Sequence, residues 1–314
     1  MTMMTDDSIG IDISKDFLDA YRLSDGATKR FQNSPAGFRT LSTWLGGGML
    51  TRVVFEATGA YHRSFERTFS GKLPLVKVNP LQARRFAQAC GTRVKTDEVD
   101  ARMLASFGNA LALEPDQPID GKQFELKELF SSRGALIKDR TRLINRLQTQ
   151  TLALVKKQTK ARIDQIKSQL KTLQQDINTR LQDCPGRART NTILRSIPGI
   201  GEVAAATILI EMPKIGTLQK KKAASLTGLA PMTRQSGTWR GKATIQGGRK
   251  QLRDALYMPA LVAVKHNPDM CDKYQSMIKQ GKPQKVALTA IMRKLIELAN
   301  TLVKADREWV QNDA

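Results

Sequence analysis

Ile9, Ile11 and Ile13 alternate with Gly10 and Asp12, and this period of two predicts a strand that buries its isoleucines on one face and turns Asp12 to the other. The pattern continues on both sides of the turn Ser24-Asp25-Gly26, so 8–14, 18–24 and 28–33 read as three consecutive strands. A helix over 37–45 is expected next. After Arg52, the apolar run Val53, Val54, Phe55 predicts a short buried strand that Glu56 closes, with Ala57-Thr58-Gly59 as its exit into a loop. A further helix follows, then a strand over 75–78 broken by Asn79-Pro80, then helical patterns over 81–90 and 97–113.

Three strands followed by alternating helix and strand is the element order of a ribonuclease-H-like α/β fold. Beyond residue 115 the pattern becomes long, charged and helical. Ile163, Ile166, Leu170, Leu173 and Ile177 repeat at spacings of three and four, the seam of a coiled coil. Leu126, Leu129, Leu136, Leu143 and Leu147 offer a facing stripe that Arg133 and Arg140 interrupt, so the partner is either the preceding helix or a second subunit. Cys184-Pro185-Gly186 ends the unit. The fold class is thus α/β plus α: an α/β domain over 1–115, a coiled-coil connector over 116–185 and a mainly helical domain over 186–314. In the last of these, Ile197-Pro198-Gly199-Ile200-Gly201 precedes a small-residue helix, the pattern of a helix-hairpin-helix-like element. Amides of Gly199, Ile200 and Gly201 at such a helix start can hold a nucleic-acid phosphate without reading sequence, although a plain helix–helix turn has the same pattern.

Composition narrows the partners. The 314 residues carry 51 Lys and Arg against 29 Asp and Glu, a formal net charge of +22. Residues 1–114 hold 15 basic and 12 acidic side chains, so 36 and 17 fall in the remainder. A basic excess concentrated in one part suits a polyanion, although charge alone names no reaction. Aromatic residues make up only 5% of the chain, which favours grip on phosphates over stacking on bases. Cys90, Cys184 and Cys271 are scattered and odd in number, as in a reducing compartment, and offer no zinc knuckle. With His62 and His266 as the only histidines, imidazole metal sites and a Ser-His-Asp triad have little material. No signal peptide and no membrane-length apolar run are apparent, so a cytoplasmic, membrane-free protein is expected.

Four acids are the candidate chemistry. Asp12 and Glu56 come from strands, while Asp97 and Asp100, three residues apart, share one face of a predicted helix. Glu98 between them turns away from that face and is left out of the set. Clustered carboxylates resist ionising together unless a cation neutralises them, and oxygen-only ligands favour Mg²⁺ or Mn²⁺. Such ions activate a nucleophile and stabilise the leaving oxygen in phosphoryl transfer. Taken singly, each acid is more often a cap or a solvated charge. In the last domain, Ser236 lies beside Gly237 and close to Arg240 and Lys242, with Arg249 further on. Those cations can hold phosphate oxygens while an exposed serine attacks phosphorus, although serine beside glycine is also an ordinary turn. Thr233, Thr238 and Thr244 are equal candidates by spacing. Tyr257 reads as a core or interface residue of a packed helix.

Taken in order, GIDISK, EATGAY, NP before a helix, KTDEVDARMLA, IPGIG, GLAP, the SG…RGK segment and LRDALYMPA resemble the DEDD-type transposases of bacterial insertion sequences related to the pilin-gene invertases, the bridge-RNA-guided recombinases. The resemblance implies a RuvC-like (ribonuclease-H-like) first domain whose metal-binding acids match Asp12, Glu56, Asp97 and Asp100. It implies a coiled-coil connector, and a transposase domain whose nucleophilic serine matches Ser236, with Thr238 as the fallback. The implied chemistry is attack by the serine on donor and target DNA, giving a 5′-phosphoserine link, with Mg²⁺ or Mn²⁺ at the acids. The implied partners are DNA, a structured bridge RNA that pairs with it, and further copies of the chain, dimer to tetramer, in which one subunit's serine completes another's acidic site. Two other readings use the same residues: a RuvC-like nuclease or resolvase in which water cuts DNA, and a non-catalytic nucleic-acid-binding protein.

Overall fold

The computed structural model describes residues 7–46, 48, 50–57, 59–91 and 97–311; Thr58 of the EATGAY motif and residues 93–96 ahead of Asp97 lie outside them. The chain divides into two compact units, one up to Phe124 and one from Glu125.

In the first unit, β1 (Ser8–Ile13), β2 (Phe17–Arg22), β3 (Thr28–Gln32), β4 (Arg52–Glu56) and β5 (Leu75–Val78) form one mixed sheet in the order β3-β2-β1-β4-β5. The first three strands pair antiparallel, and β4 and β5 continue the sheet parallel to β1. Parallel neighbours need crossovers, which α1 (Pro35–Leu45) and α2 (His62–Phe69) supply. Ser34 caps α1, its side chain accepting from the Gly37 amide at 3.2 Å, and Pro35 sits in the first turn where its missing N–H costs nothing. Ile9, Ile11 and Ile13 are buried, and with Leu18, Phe31 and Phe55 they pack against Phe38, Leu41, Phe65 and Phe69 of these two helices.

The opposite face is covered by α3 (Pro80–Ala89) and α4 (Asp97–Ala110), where Val54, Val76 and Val78 meet Leu104, Phe107 and Phe86. At β1 there is no room for side chains between strand and helix. A Cβ on Gly10 would strike the Ala101 carbonyl oxygen and stand 2.5 Å from the Ala105 nitrogen, and one on Gly108 would strike Val54. Buried Arg52 fastens the far end of α4. Its Nη1 donates to Ser8 Oγ at 3.0 Å and Asn109 Oδ1 at 3.2 Å, and its Nε donates to the Leu113 carbonyl at 3.1 Å.

In the second unit, α5 (Gly121–Thr149, entering from the first) and α6 (Ala153–Gln182) run antiparallel, with Glu125 paired to Arg180 near the open end. The expected seam is present but incompletely closed: Ile163 and Ile177 are buried, whereas Ile166, Leu170 and Leu173 are half-buried. A groove lined by Ser132, Ala135, Leu136, Ser168, Thr172 and Leu173 remains between the helices. Arg133 is held in this seam, where burial and the charge of Arg140 both lower its guanidinium pKa. The helical body consists of α7 (Pro185–Ser196), α8 (Glu202–Glu211), α9 (Lys220–Leu226), α10 (Lys250–Ala255), α11 (Tyr257–His266), α12 (Pro268–Lys279) and α13 (Gln284–Lys304). Helix α8 is buried all round from Ala204 to Ile210, and α13 presents Ile291, Leu295, Ile296, Ala299 and Leu302 to the same core. Between α9 and α10 the chain forms an exposed arm of two short ribbons, β6 (Pro231–Met232) with β9 (Thr244–Ile245) and β7 (Gln235–Ser236) with β8 (Trp239–Arg240). No helix among the described residues is long and apolar enough to cross a membrane.

Two glycine substitutions separate close packing from mere helix propensity. Gly10→Ala forces α4 off β1 and is expected to cost about 3 kcal/mol or more, whereas Gly134→Ala, with nothing within 4 Å of the new methyl, should gain about 0.5–1 kcal/mol in mid-helix. Urea unfolding of both variants followed by circular dichroism checks the two signs.

Candidate active site

Register brings the strand acids together. Gly10 pairs with Val54 and Ile11 with Phe55, so the next step along the parallel strands sets Asp12 beside Glu56. Both lie two residues beyond Gly10 and Val54, on the face that α4 covers, and both are half-buried. On the other side of Asp12, the antiparallel hairpin places Asp19 directly opposite, and Arg30 stands opposite Asp19 on β3. One row across the sheet therefore reads Arg30, Asp19, Asp12, Glu56. Asp97 and Asp100 occupy the first turn of α4, at the end that reaches this row, where acidic side chains also suit the helix dipole.

The electrostatics register the convergence. Asp12's carboxyl is pushed up to about 6, first by burial and then by the negative charges of Asp100, Asp97 and Glu56, in that order. All four acids singled out in the sequence thus act on one point. Glu98 is exposed, as its helical direction predicts.

Asp19 and Arg30 escaped the sequence reading. Arg30 grips Asp19 with two donors, Nε to Oδ1 at 2.8 Å and Nη2 to Oδ2 at 3.1 Å, and the same Nη2 donates to Asp97 Oδ2 at 2.9 Å. A fifth carboxylate thus carries its own counter-ion, which also draws on Asp97. Counting across the hairpin from Asp12 would have found Asp19, since residues paired around the turn at 14–16 sum to a constant.

Four oxygen-donor side chains converging on a half-buried point, where burial and mutual repulsion raise the proton affinity of Asp12, fit a hard divalent cation. Among the described residues no three such side chains stand in coordination geometry, and Asp97 is turned onto Arg30. The donor set fits; closing it requires Asp97 to leave its guanidinium.

Ser236 lies in the arm, where residues 231–240 and 242–250 are all exposed. Gly237, at φ +54°, opens the two-residue turn Gly237-Thr238 between β7 and β8, a conformation that favours glycine in hairpins. The glycines at the arm's base are structural too. Gly228 and Gly248 approach backbone to backbone, so that a Cβ on either would strike the other strand, and the Arg249 amide donates to Leu226 at 2.8 Å to close the loop. Arg249 also lies near Glu211, whose carboxyl burial pushes up while Arg249 pulls it down. Arg240 and Lys242 are exposed, as are Thr233, Thr238 and Thr244.

The hairpin before α8 is packed rather than open. Gly199, at φ +102°, would put a Cβ 2.5 Å from the Pro259 carbonyl oxygen of α11, and the Ile200 amide donates to Ile197 at 2.9 Å. Only Gly201 of the three is exposed, and the carboxylate of the adjacent Glu202 is bonded by Asn178. Tyr257 is not a core residue: it is 42% exposed, because the phase of α11 turns Leu256, Ala260 and Ala263 inward instead.

Comparison with known proteins extends these observations. Residues 9–156 match the DEDD-type IS110 family model described as a transposase, and residues 191–275 match that of the Transposase IS116/IS110/IS902 family. The chain is 30% identical over 316 residues to the pilin gene-inverting protein of Moraxella bovis, covering 96% of this chain and 97% of that one. It is 31% identical to the pilin gene-inverting protein of Moraxella lacunata with the same coverage. It is also 29% identical over 159 residues to the insertion element IS110 uncharacterized 43.6 kDa protein of Streptomyces coelicolor, covering 50% of this chain and 38% of that one.

The raised carboxyl of Asp12 has a sign that stability measurements can read. Its folded pKa of about 6 lies above the ordinary carboxyl value of 3.8, so the native state binds the extra proton between those values and loses stability as pH rises through 6. In metal-free buffer, Asp12→Asn should therefore raise the melting temperature at pH 8 and have little effect at pH 4. Added Mg²⁺ or Mn²⁺ should stabilise the wild-type chain more at pH 8 than at pH 5, with Asp12→Asn insensitive to the metal.

Proposed function

The chain belongs to the IS110-type family of DEDD transposases, and we propose that it cuts and rejoins the DNA of an insertion sequence through a covalent serine link, with a structured bridge RNA selecting donor and target. The observation that carries this reading is the meeting of Asp12, Glu56, Asp97 and Asp100 at one point of the sheet, in a chain that also presents Ser236 on an exposed basic arm. The strand order β3-β2-β1-β4-β5 supports a RuvC-like first domain, followed by a coiled-coil connector over 116–185 and a transposase domain over 186–314.

In the cutting step, Ser236 Oγ bonds to phosphorus as the P–O3′ bond breaks. The serine gives up its proton and the departing 3′ oxygen takes one up, leaving a 5′-phosphoserine and a free 3′-hydroxyl. The ester retains the free energy of the phosphodiester, so a 3′-hydroxyl can reverse the step on a new strand without a nucleoside triphosphate. The four acids would hold Mg²⁺ or Mn²⁺, and the ion would supply positive charge to the transferring phosphate and lower the proton affinity of an attacking oxygen. The proton affinity of Asp12, raised by burial and by the charges of Asp100, Asp97 and Glu56, would fall on binding a cation. Arg30 holds Asp19 out of the ligand set, and Asp97 enters that set by giving up its own bond to Arg30.

The basic residues divide the remaining work. Arg240, Lys242, Arg249 and the exposed turn at Gly201 bind backbone phosphates, and pairing with the RNA reads sequence, so affinity falls steeply with salt. Subunits assemble as dimers to tetramers, and the serine acts on the same phosphodiester as the acids of its own or a neighbouring subunit.

Protein expressed from a plasmid carrying the whole element with its flanks, then denatured and digested, tests the chemistry by mass spectrometry. A nucleotide adduct on the Ser236 peptide is expected, absent in Ser236→Ala and in Asp12→Ala, with DNA retention intact in both. Cut DNA without an adduct in the wild type, persisting in Ser236→Ala, would make water the nucleophile and the chain a RuvC-like nuclease.

A further inference from the structure

Antiparallel pairing fixes which side chains share a face with Ser236. Ser236 pairs with Trp239 and Gln235 with Arg240, and the ladder extends one step, the Gly241 amide donating to the Arg234 carbonyl at 3.0 Å. Side chains directly opposite lie on one face of a ribbon, and residues two apart on a strand do likewise. Arg234, Ser236, Trp239 and Gly241 therefore occupy one face, and Gln235 and Arg240 the other. The cation next to Ser236 in space is Arg234, two residues upstream, and not Arg240, which the Ser-Gly…Arg-Gly-Lys pattern singled out.

The rest of that face is arranged around an absent partner. Trp239 is 59% exposed, and its indole lies over Gly241, where any Cβ would collide with the ring. The glycine thus lets the ring lie down along the ribbon beside the serine. Arg234 is exposed and has no ion-pair partner among the described residues, and no acidic residue occurs between 231 and 250. A large exposed aromatic and an unpaired guanidinium sharing one face with a hydroxyl fit a phosphodiester with its attached sugar and base.

We propose that Arg234 is a catalytic residue of the strand-transfer step, holding the two non-bridging oxygens of the phosphate that Ser236 attacks, while Trp239 packs on the sugar and base beside it. The proposal rests on Ser236 as the nucleophile. As the Oγ–P bond forms and the P–O3′ bond breaks, negative charge grows on the non-bridging oxygens, and the two parallel donors of a guanidinium match that geometry where an ammonium cannot. Arg240, on the other face, contributes to DNA affinity and not to the rate.

The test uses full-length protein purified with the RNA transcribed from its own element, and duplex DNA spanning the junction mapped by the serine adduct. Single-turnover adduct formation is measured at saturating DNA. Arg234→Ala should slow it by about 10²–10³-fold, the loss typical of removing one transition-state donor, with Arg234→Lys only partly restored. Arg240→Ala should raise the DNA concentration needed for half-saturation. A methylphosphonate at the scissile position, which removes the charge Arg234 would meet, should bring Arg234→Ala close to wild type on the same neutral substrate. A merely structural role for Arg234 would not be relieved this way. If Ser236→Ala still forms an adduct, the nucleophile is elsewhere and the underlying reading fails. If Ser236→Ala is dead but Arg234→Ala matches wild type, or behaves as Arg240→Ala does, the serine stands and the assignment of Arg234 is overturned.

Discussion

Gly10 has no side chain, and the backbone of α4 occupies the space where one would be. This contact decides where Asp97 and Asp100 stand, because they sit in the first turn of the helix that Gly10 admits, and where Asp12 stands, because it is two residues along the same strand on the same face. Gly108 repeats the device one sheet strand over, against Val54, and the Arg52 guanidinium ties the helix end to Ser8, Asn109 and Leu113. Three points thus fix a helix against a sheet, and the acids follow as a consequence of backbone placement. Their mutual repulsion opposes this arrangement, since burial and three neighbouring charges all raise the Asp12 carboxyl. Packing on the other side of the sheet, through Ile9, Ile11 and Phe55, holds the site together against that repulsion.

The same row of the sheet explains why Asp19 does not add to the strain. It stands opposite Asp12, where an unpaired charge would be the least tolerable, and Arg30 neutralises it through two donors. The third donor contact, to Asp97, makes Arg30 a bridge between sheet and helix. Because Arg30 is exposed, the bridge is screened by solvent and can be exchanged for a cation at little cost. A family of transposases that depends on divalent metal gains from such an arrangement: the acids are held near one another without metal, and the contact to be given up is at the surface.

The sequence carried most of the first unit because its strands alternate cleanly. Ile9, Ile11 and Ile13 announced one face, and that is the face found in the core; Glu56 closing an apolar run announced the other. What local pattern cannot carry is pairing between strands. Asp19 and Arg30 sit in segments read as strands, yet only the register places them in the row with Asp12. The arm taught the same lesson. Residues 231–245 contain too few apolar positions to reveal a ribbon, so the Ser-Gly…Arg-Gly pattern pointed to Arg240, whereas the two-residue turn at Gly237 puts Arg234 and Trp239 on the face of Ser236. Tyr257 lies outside the core for a reason of phase: the inward positions of α11 are Leu256, Ala260 and Ala263, and the tyrosine falls between them. The glycines of the hairpin before α8 also had a packing explanation that spacing could not exhibit, since Gly199 faces α11.

Charge is distributed between the two units in a way that follows from their tasks. The first unit gathers acids and uses Arg30 and Arg52 internally, so its basic residues partly cancel. The second carries the basic excess, and its arm holds five cations without one acid in the stretch 231–250. An acidic centre repels a polyanion until a cation is bound, while a basic arm attracts it regardless. On the proposed reading, such a chain would engage DNA first through the arm and bring it to the acids once metal is bound. Salt would then weaken the first step by competing for phosphates, and removal of metal would block the second, so the two dependences would belong to different residues of one chain.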